Sequence, residues 1–295
     1  MKILDFDIIF LSYDEPNAEE HYADLCNKLP WVQRIHGVKG SDAAHKAAAE
    51  LSETDWFITI DADNIVRPSF FDLDLDMSDP NIEVYGWCGR NNINGLRYGN
   101  GGPKIWKKDF VLNMKTHEAA ETENAQVDFC WEAGYKNFPV TYSDSIINST
   151  PFQAWRAGFR EGVKMTLKDG IKVPPQEIQQ HIWWHNIHRL RMWSTVGSHV
   201  ENGKYAILGA RQGTHMTNCT DWNHVQVRDF EYLKELYKEI VEPLENNIDS
   251  KIEHLGKEIK YGLGLDWPDF DARQSQYTLD LYEETLNLGI TYYNV

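Results

Sequence analysis

A buried strand that ends in two closely spaced carboxylates is the feature of this chain that most constrains its fold. Aromatic and β-branched residues predominate from Trp56 to Ile60, and Asp61 and Asp63 follow directly. Apolar runs of this kind are typical of strands that are buried on both faces of a sheet. Open α/β sheets bind ligands at the carboxyl ends of their strands. The segment therefore predicts an α/β fold with both aspartates at the edge of a ligand site.

Asp61 and Asp63 have the spacing of a metal-binding pair. Side chains two residues apart on an extended segment point the same way, so both carboxylates can face one cation. Hard divalent cations prefer oxygen ligands and often share them with phosphates. The alternative is that the aspartates only cap a helix or a turn. Their position at the end of a strand favours the metal site, with Mn²⁺ or Mg²⁺ as the expected cofactor.

The overall composition disfavours several classes of protein. The chain has no run of 18 apolar residues, which a membrane-spanning helix would need. Asp5 and Asp7 interrupt the segment where a signal peptide needs an apolar stretch. We therefore expect a cytoplasmic protein with no membrane partner. The net charge of −16 disfavours general binding to polyanions, although it leaves a local basic groove open.

Strands and helices alternate in the first part of the chain. The pattern predicts a strand at 7–13, a turn and helix at 14–25, a strand at 32–38 and a helix at 42–51. The aspartate strand comes next. Such alternation implies parallel strands that are joined by crossover helices.

The rest of the chain is predicted to add a few strands and then mainly helices. Strand patterns occur at 84–87, 95–98 and 140–142, with a short helix at 127–134. Beyond about residue 150, helical spacing recurs at 155–168, 175–193 and 228–260. We therefore expect a helical layer, not a second sheet, in the C-terminal part.

Several short motifs follow one another in the order found in one enzyme family. They are Ser12-Tyr13-Asp14-Glu15, the Ala-rich helix around Lys46, Asp61-Ala62-Asp63-Asn64, Gly101-Gly102 with the aromatic and basic segment after it, and Val127-Asp128 before Gly134-Tyr135-Lys136. With these motifs, residues 5–165 resemble a family-2-type glycosyltransferase of the GT-A fold. The resemblance implies a Rossmann-like mixed, mainly parallel sheet and a metal-dependent, inverting transfer of sugar from a nucleoside-diphosphate sugar, a UDP-sugar, to a hydroxyl group. It also implies a catalytic domain at 1–170 and a mainly helical region at 171–295 packed on it.

The resemblance assigns roles to residues at four of these motifs. Asp61 and Asp63 would hold the metal, and the nucleotide sugar would be bound by Ser12, Tyr13, Glu15, Lys46 and Ala62. The backbone at Gly101 and Gly102 would approach the sugar or acceptor closely, and Trp106 would stack on it. The alternatives are a turn that starts a helix at Ser12 to Glu15 and an ordinary glycine turn at 101–102.

Asp128 matches the carboxylate that removes the proton from the acceptor hydroxyl in that family. An inverting transfer needs such a base on the face opposite the leaving group. The family more often has two adjacent acids here, whereas this chain has Val127 before Asp128. The alternative is that Asp128 caps a short helix.

The family's third metal ligand, often a histidine, has no obvious counterpart. His181, His185 and His188 fall at i, i+4 and i+7, which would place them on one helical face. That spacing suits metal binding. The alternative is that these histidines lie among the nearby tryptophans and are satisfied by hydrogen bonds.

Four cations recur every four residues after position 155, at Arg156, Arg160, Lys164 and Lys168. On a helix they would form one basic stripe, which could bind the diphosphate or a phosphate backbone. Arg156 and Arg160 are therefore candidate nucleotide-sugar ligands, and a solvated helix face is the alternative.

The segment 151–161 is also similar to glycosyltransferase-like proteins of tailed phages. This similarity implies a hydroxymethylated base in phage DNA as the acceptor and the host cytoplasm as the location.

Other functions remain open from the sequence. One is a non-catalytic protein on a GT-A scaffold that binds carbohydrate or nucleic acid, and another is a glycosyltransferase acting on a polysaccharide or a small molecule. A nucleotidyltransferase is disfavoured, because the segment after the first strand, Ser12 to Glu15, is acidic instead of a Gly-rich phosphate loop with a lysine. An intact pair of Asp61 and Asp63 together with Asp128 favours the enzyme.

Overall fold

The computed structural model describes residues 1–98, 101–114 and 134–288, which form two compact units. Within these ranges, the first unit comprises 1–92, 97–98, 101–114 and 134–146, and the second comprises 93–96 and 147–288. The main division falls between Ile146 and Ile147, ahead of the boundary near residue 170 that the sequence suggests. The reason is that the helix starting at Pro151 packs within the helical unit.

The first unit is built on one mixed sheet. Its strands are β1 (Asp7–Ser12), β2 (Gln33–His36), β3 (Trp56–Asp61), β4 (Asn64–Val66), β5 (Val84–Asn91), β6 (Arg97–Tyr98), β7 (Lys104–Lys107) and β8 (Tyr135–Ser145). The spatial order is β2-β1-β3-β7-β5-β8-β4, with β6 paired to β5. Strands β1, β2, β3, β5 and β8 run in one direction and the other three run against them. The predicted α/β class with a mixed, mainly parallel sheet is confirmed.

Helices cover both faces of this sheet. They are α1 (Ala18–Lys28), α2 (Ser41–Leu51) and α3 (Lys108–Asn113). Along β1, Ile8 and Phe10 join the core that includes α1, whereas Ile9 and Leu11 join the core that includes α2 and α3. Burial on both sides explains why β1 and β3 are almost continuously apolar.

Several predicted element bounds differ from the structure. Strand β2 is shorter than predicted and is followed by Gly37 and Gly40, whose φ angles of +74° and +97° lie in a region that favours glycine. The predicted strand at 140–142 lies within the much longer β8, and the one at 95–98 is reduced to β6. The predicted helix at 127–134 falls almost entirely outside the described residues.

The second unit is mainly helical. It contains α4 (Pro151–Lys164), a hairpin of β9 (Leu167–Lys168) and β10 (Ile171–Lys172), α5 (Ile178–His181), α6 (Trp184–Thr195), α7 (Gly203–Cys219), α8 (Phe230–Ile240), α9 (Ile248–Leu263) and α10 (Ala272–Asn287). The predicted helices are present but interrupted, at Ile182 and at 241–247. None of the helices in the described part of the chain is both long and apolar enough to cross a membrane.

Helices α4 and α7 pack with their backbones in direct contact. Gly158 and Gly162 of α4 face α7, and Gly209 and Gly213 of α7 face α4. A Cβ atom at any of these four glycines would lie less than 3.0 Å from a backbone oxygen of the facing helix, closer than real Cβ atoms come. Glycine is therefore required for this packing distance.

The buried guanidinium of Arg211 connects several parts of the helical unit. It donates hydrogen bonds to the carbonyl oxygens of Ser194, Ile252 and Pro268 at 3.0, 2.8 and 3.1 Å. It also pairs with the Asp269 carboxylate. A buried charge is tolerated when its donors are satisfied in this way.

Candidate active site

Polar groups from several strands meet at one edge of the sheet. In the strand register, Leu11 of β1 lies opposite Asp61 of β3, and Ser12 lies opposite His36 of β2. The antiparallel neighbour β7 starts at this edge, so Lys104 pairs with Thr59 close to Asp61. Strands β5 and β8 also end at this edge, because both run parallel to β3. The predicted location of the two aspartates beside the carboxyl ends of the strands agrees with this geometry.

Asp61 lies beside a buried lysine. The Nζ atom of Lys104 is 3.5 Å from Oδ2 of Asp61 and 3.4 Å from the carbonyl oxygen of Gly102. The Lys104 side chain is only 4% exposed, whereas that of Asp61 is 41% exposed. The aspartate therefore keeps a carboxylate face toward solvent while a fixed positive charge lies next to it.

Asp63 is held by its neighbours. Its Oδ1 accepts a hydrogen bond of 2.7 Å from Nδ2 of Asn64, and its carbonyl oxygen accepts one from the Ile146 amide at 2.7 Å. Asn64 is fixed in turn, because Ser143 Oγ donates to its Oδ1 at 2.8 Å. The Ser145 hydroxyl lies between Asn64 Oδ1 and the carbonyl oxygen of Gly101, at 3.3 and 3.2 Å. This network gives Asp63 a set position at the end of β3.

The donor set of Asp61 and Asp63 fits a hard divalent cation. Mg²⁺ is usually held by one or two carboxylates together with water and substrate phosphates, so a full protein cage is not needed. Within residues 1–98, 101–114 and 134–288, no group of three or more histidine, cysteine or acidic side chains is placed to hold a metal. Asp61 and Asp63 would therefore supply two ligands to the expected Mn²⁺ or Mg²⁺, and a bound phosphate would supply further ones.

The three candidate histidines do not share a helical face as predicted. Helix α5 ends at His181, and α6 begins only at Trp184. His181 contacts Glu177 at 2.9 Å, and burial lowers the pKa of both His185 and His188. The break at Ile182 removes the i, i+4, i+7 arrangement on which that interpretation depended.

The strand ends of β1 and β2 carry a polar cluster that sequence reasoning found only in part. Nε of Arg34 donates to Ser12 Oγ at 2.9 Å, and the same hydroxyl lies 2.9 Å from Nδ1 of His36. Arg34 also donates to both carboxylate oxygens of Glu19, at 3.0 and 2.6 Å. Arg34 and His36 were missed, although their spacing of two on a strand was the available signal.

Tyr13 and Glu15 form a turn between β1 and α1. The Tyr13 amide donates to Oε2 of Glu15 at 2.7 Å. This contact fits the alternative of a turn that starts a helix, and binding of a nucleotide sugar by Ser12, Tyr13 and Glu15 stays a prediction. Lys46 is half-buried on α2.

The prediction that Trp106 stacks on a sugar is wrong. Its side chain is 0% exposed, and its indole N–H donates to Thr59 Oγ1 at 2.7 Å. It also contacts the ring of His45 edge to face, with 5.1 Å between centroids. Strand β7 lies between β3 and β5, and the helices on that face bury the indole in the core.

Ala62 and His45 are buried near the aspartate pair. Ala62 can reach a ligand only through its backbone, and its carbonyl oxygen already lies 2.8 Å from Nδ1 of His21. Burial lowers the pKa of His45, and the nearby Asp61 carboxylate opposes that effect. Burial therefore disfavours the protonated, charged form of His45 beside Asp61.

The two candidate glycines pack against the sheet backbone. A Cβ atom at Gly102 would lie 2.6 Å from the carbonyl oxygen of Trp87, and one at Gly89 would lie 2.8 Å from the Gly101 carbonyl. Close backbone packing therefore accounts for glycine at 102. Contact of Gly101 or Gly102 with a sugar stays a prediction.

The remaining candidates belong to the second unit or lie outside the described residues. Arg156 and Arg160 are on α4, in the second unit. The guanidinium of Arg156 lies 4.8 Å from the centroid of the Phe230 ring, and Lys164 pairs with Glu161 at 2.6 Å. Asp128 lies outside the described residues.

The mixed α/β sheet with two aspartates at the end of β3 is consistent with a GT-A-like, Rossmann-type fold. No protein-family model matches this chain, and no curated protein matches it. Among solved structures, the chain is similar to a glycosyltransferase involved in the glycosylation of the major capsid of PBCV-1, with 16% identity over 49% of this chain and 94% of that one and a TM-score of 0.31. It is also similar to HddC from Yersinia pseudotuberculosis, with 21% identity over 46% of this chain and 69% of that one and a TM-score of 0.28. Both likenesses are too distant to carry a functional argument.

Proposed function

We propose that this protein is a metal-dependent glycosyltransferase that moves a sugar from a nucleoside-diphosphate sugar to a hydroxyl acceptor. The observation that carries the proposal is the exposed Asp61 and the fixed Asp63 at the carboxyl edge of the sheet, beside the buried ammonium of Lys104. A pair of carboxylates with a cation alongside suits a diphosphate that arrives with a divalent metal.

Each part of this edge has a chemical task in the proposal. Asp61 and Asp63 would hold Mn²⁺ or Mg²⁺, which when bound supplies Lewis-acid stabilisation of the departing diphosphate. The Asn64 amide keeps the Asp63 carboxylate in position. Ser12, with Arg34 and His36 beside it, lies on the neighbouring strand ends and would face the nucleotide.

The acceptor in the narrower form of the proposal is a hydroxymethylated base in DNA. Its support is the similarity of residues 151–161 to tailed-phage proteins and the presence of Arg160 on α4. The ion pair of Lys164 with Glu161 leaves less net positive charge for a phosphate backbone than the sequence predicts. With a net charge of −16, any DNA contacts must be few and local.

The proposal is tested by offering donors and acceptors together. The protein is incubated with Mn²⁺ and UDP-, GDP- or TDP-sugars, and with hydroxymethylated duplex DNA, oligosaccharides or small alcohols as acceptors. We expect diphosphate release with one donor class and a mass increase of one sugar on one acceptor, both lost in EDTA. Binding of a donor with neither transfer nor hydrolysis would favour the non-catalytic carbohydrate- or nucleic-acid-binding alternative. Transfer to a saccharide alone would remove DNA as the acceptor.

Replacement of Asp128 by asparagine tests the proposed base. We expect sugar transfer to fall by about a hundredfold or more, the usual contribution of a positioned general base, with donor affinity unchanged. Transfer rate and donor affinity are measured separately, by product formation and by calorimetry. If the variant transfers sugar at the wild-type rate, Asp128 is not the base.

A further inference from the structure

Lys104 is a buried cation that the described residues do not fully satisfy. Its Nζ atom has two contacts among the described residues, and at 3.4 and 3.5 Å both exceed the usual length of an N–H···O hydrogen bond. A buried ammonium is costly unless it is paired and hydrogen-bonded. Its carboxylate partner among the described residues, Asp61, is itself half open to solvent. Toward the described residues, the ammonium therefore keeps hydrogen-bonding capacity that a ligand could use.

The charges around Lys104 matter for an anionic ligand. Asp61 and Asp63 together bring two carboxylates to the end of β3. A diphosphate would be repelled by the two carboxylates alone. The ammonium of Lys104 is a positive charge in contact with Asp61.

We propose that Lys104 is a built-in cation of the nucleoside-diphosphate site, which lowers the repulsion between the aspartate pair and the diphosphate. This inference rests on the proposed function. The charge acts alongside a divalent metal and also in its absence. It is fixed in place because Lys104 is the first residue of β7, hydrogen-bonded in the sheet opposite Thr59.

The effect of removing Lys104 on Mn²⁺ affinity distinguishes the proposed role from a purely structural one. If Lys104 acts by its charge, its removal weakens binding of the diphosphate anion but does not weaken binding of a cation, because one repulsive charge near the metal is gone. If Lys104 only holds Asp61 in position, its removal weakens both. UDP affinity and Mn²⁺ affinity therefore have to be measured separately.

The experiment compares Lys104→Met and Lys104→Gln with the wild type. Lys107→Met is the matched control, because Lys107 is at the other end of the same strand, is 40% exposed and pairs with Glu83 at 3.8 Å. Calorimetry gives UDP affinity in EDTA and in Mn²⁺, and electron paramagnetic resonance gives the affinity for Mn²⁺ alone. Thermal melting selects the variants that fold, and Lys104→Gln keeps a hydrogen-bond donor if the methionine variant does not fold.

We expect both Lys104 variants to lose UDP affinity by on the order of tenfold or more, with and without Mn²⁺, as removal of a nearby charge predicts. Their Mn²⁺ affinity should be unchanged or higher, and Lys107→Met should match the wild type. Wild-type UDP affinity in the Lys104 variants would overturn the inference, as would a parallel loss of Mn²⁺ affinity. If the wild-type protein itself binds none of UDP, GDP and TDP in either condition, the proposed function fails first.

Discussion

Replacing Asp63 by asparagine is expected to lower Mn²⁺-dependent UDP affinity by about a hundredfold or more, since loss of even an outer-shell partner of a metal ligand costs up to that amount. The substitution removes the charge of one proposed metal ligand and little else. Asparagine keeps an oxygen that can accept the hydrogen bond from Asn64 Nδ2, so the local network survives. Calorimetric titration of UDP in the presence of Mn²⁺ measures the effect.

A carboxylate elsewhere in the same unit provides the control for this substitution. Asp24 pairs with Lys28 on α1 and has no part in the proposed site. Asp24→Asn should therefore bind UDP and Mn²⁺ as the wild type does, and both variants should keep the wild-type melting temperature. An unchanged Mn²⁺-dependent affinity in Asp63→Asn would refute the metal site at the end of β3.

The largest loss of stability is expected from Gly209→Ala. Its new methyl group would have to occupy space taken by the backbone oxygen of Trp155 on α4, and a backbone atom cannot move aside as a side chain can. We expect the free energy of unfolding of the helical unit to fall by about 3 kcal/mol, the upper part of the usual range for overpacking. Urea denaturation followed by circular dichroism measures this loss.

Gly262→Ala is the matched control for Gly209→Ala. Gly262 also lies inside a helix, α9, but a Cβ atom there meets only the side-chain sulfur of Cys219, at 3.0 Å. Alanine is favoured over glycine in a helix by up to about 1 kcal/mol, so this variant should be as stable as the wild type or more stable. Equal stability of all three proteins would contradict direct backbone packing between α4 and α7.

The sheet and its aspartate pair could be predicted because local patterns specify them. Strands β1 and β3 are buried on both faces, and such strands show as short apolar runs. Asp61 and Asp63 stand out because two charges follow such a run directly. The helical C-terminal part was also predicted, since amphipathic spacing in α4, α8 and α9 is a local property.

The rest of the site depends on which strands become neighbours. Lys104 contacts Asp61 only because β7 inserts beside β3 with Thr59 opposite Lys104, a pairing across more than forty positions that no local pattern specifies. The same insertion buries Trp106, which next to two glycines looked like an exposed aromatic. Helix α7 was missed because Gly203, Gly209 and Gly213 weaken its helical pattern, although two of these glycines are what lets it pack against α4.

The side chain of Arg211 hydrogen-bonds to several separate segments of the helical unit. One side chain on α7 holds carbonyl groups from the end of α6, from α9 and from the segment that leads into α10. Opening any one of these segments would strip hydrogen bonds from a charge that cannot be left unsatisfied in the interior. The segments are therefore energetically linked through one guanidinium, and the unit should exchange its protected amide hydrogens in one concerted opening instead of helix by helix.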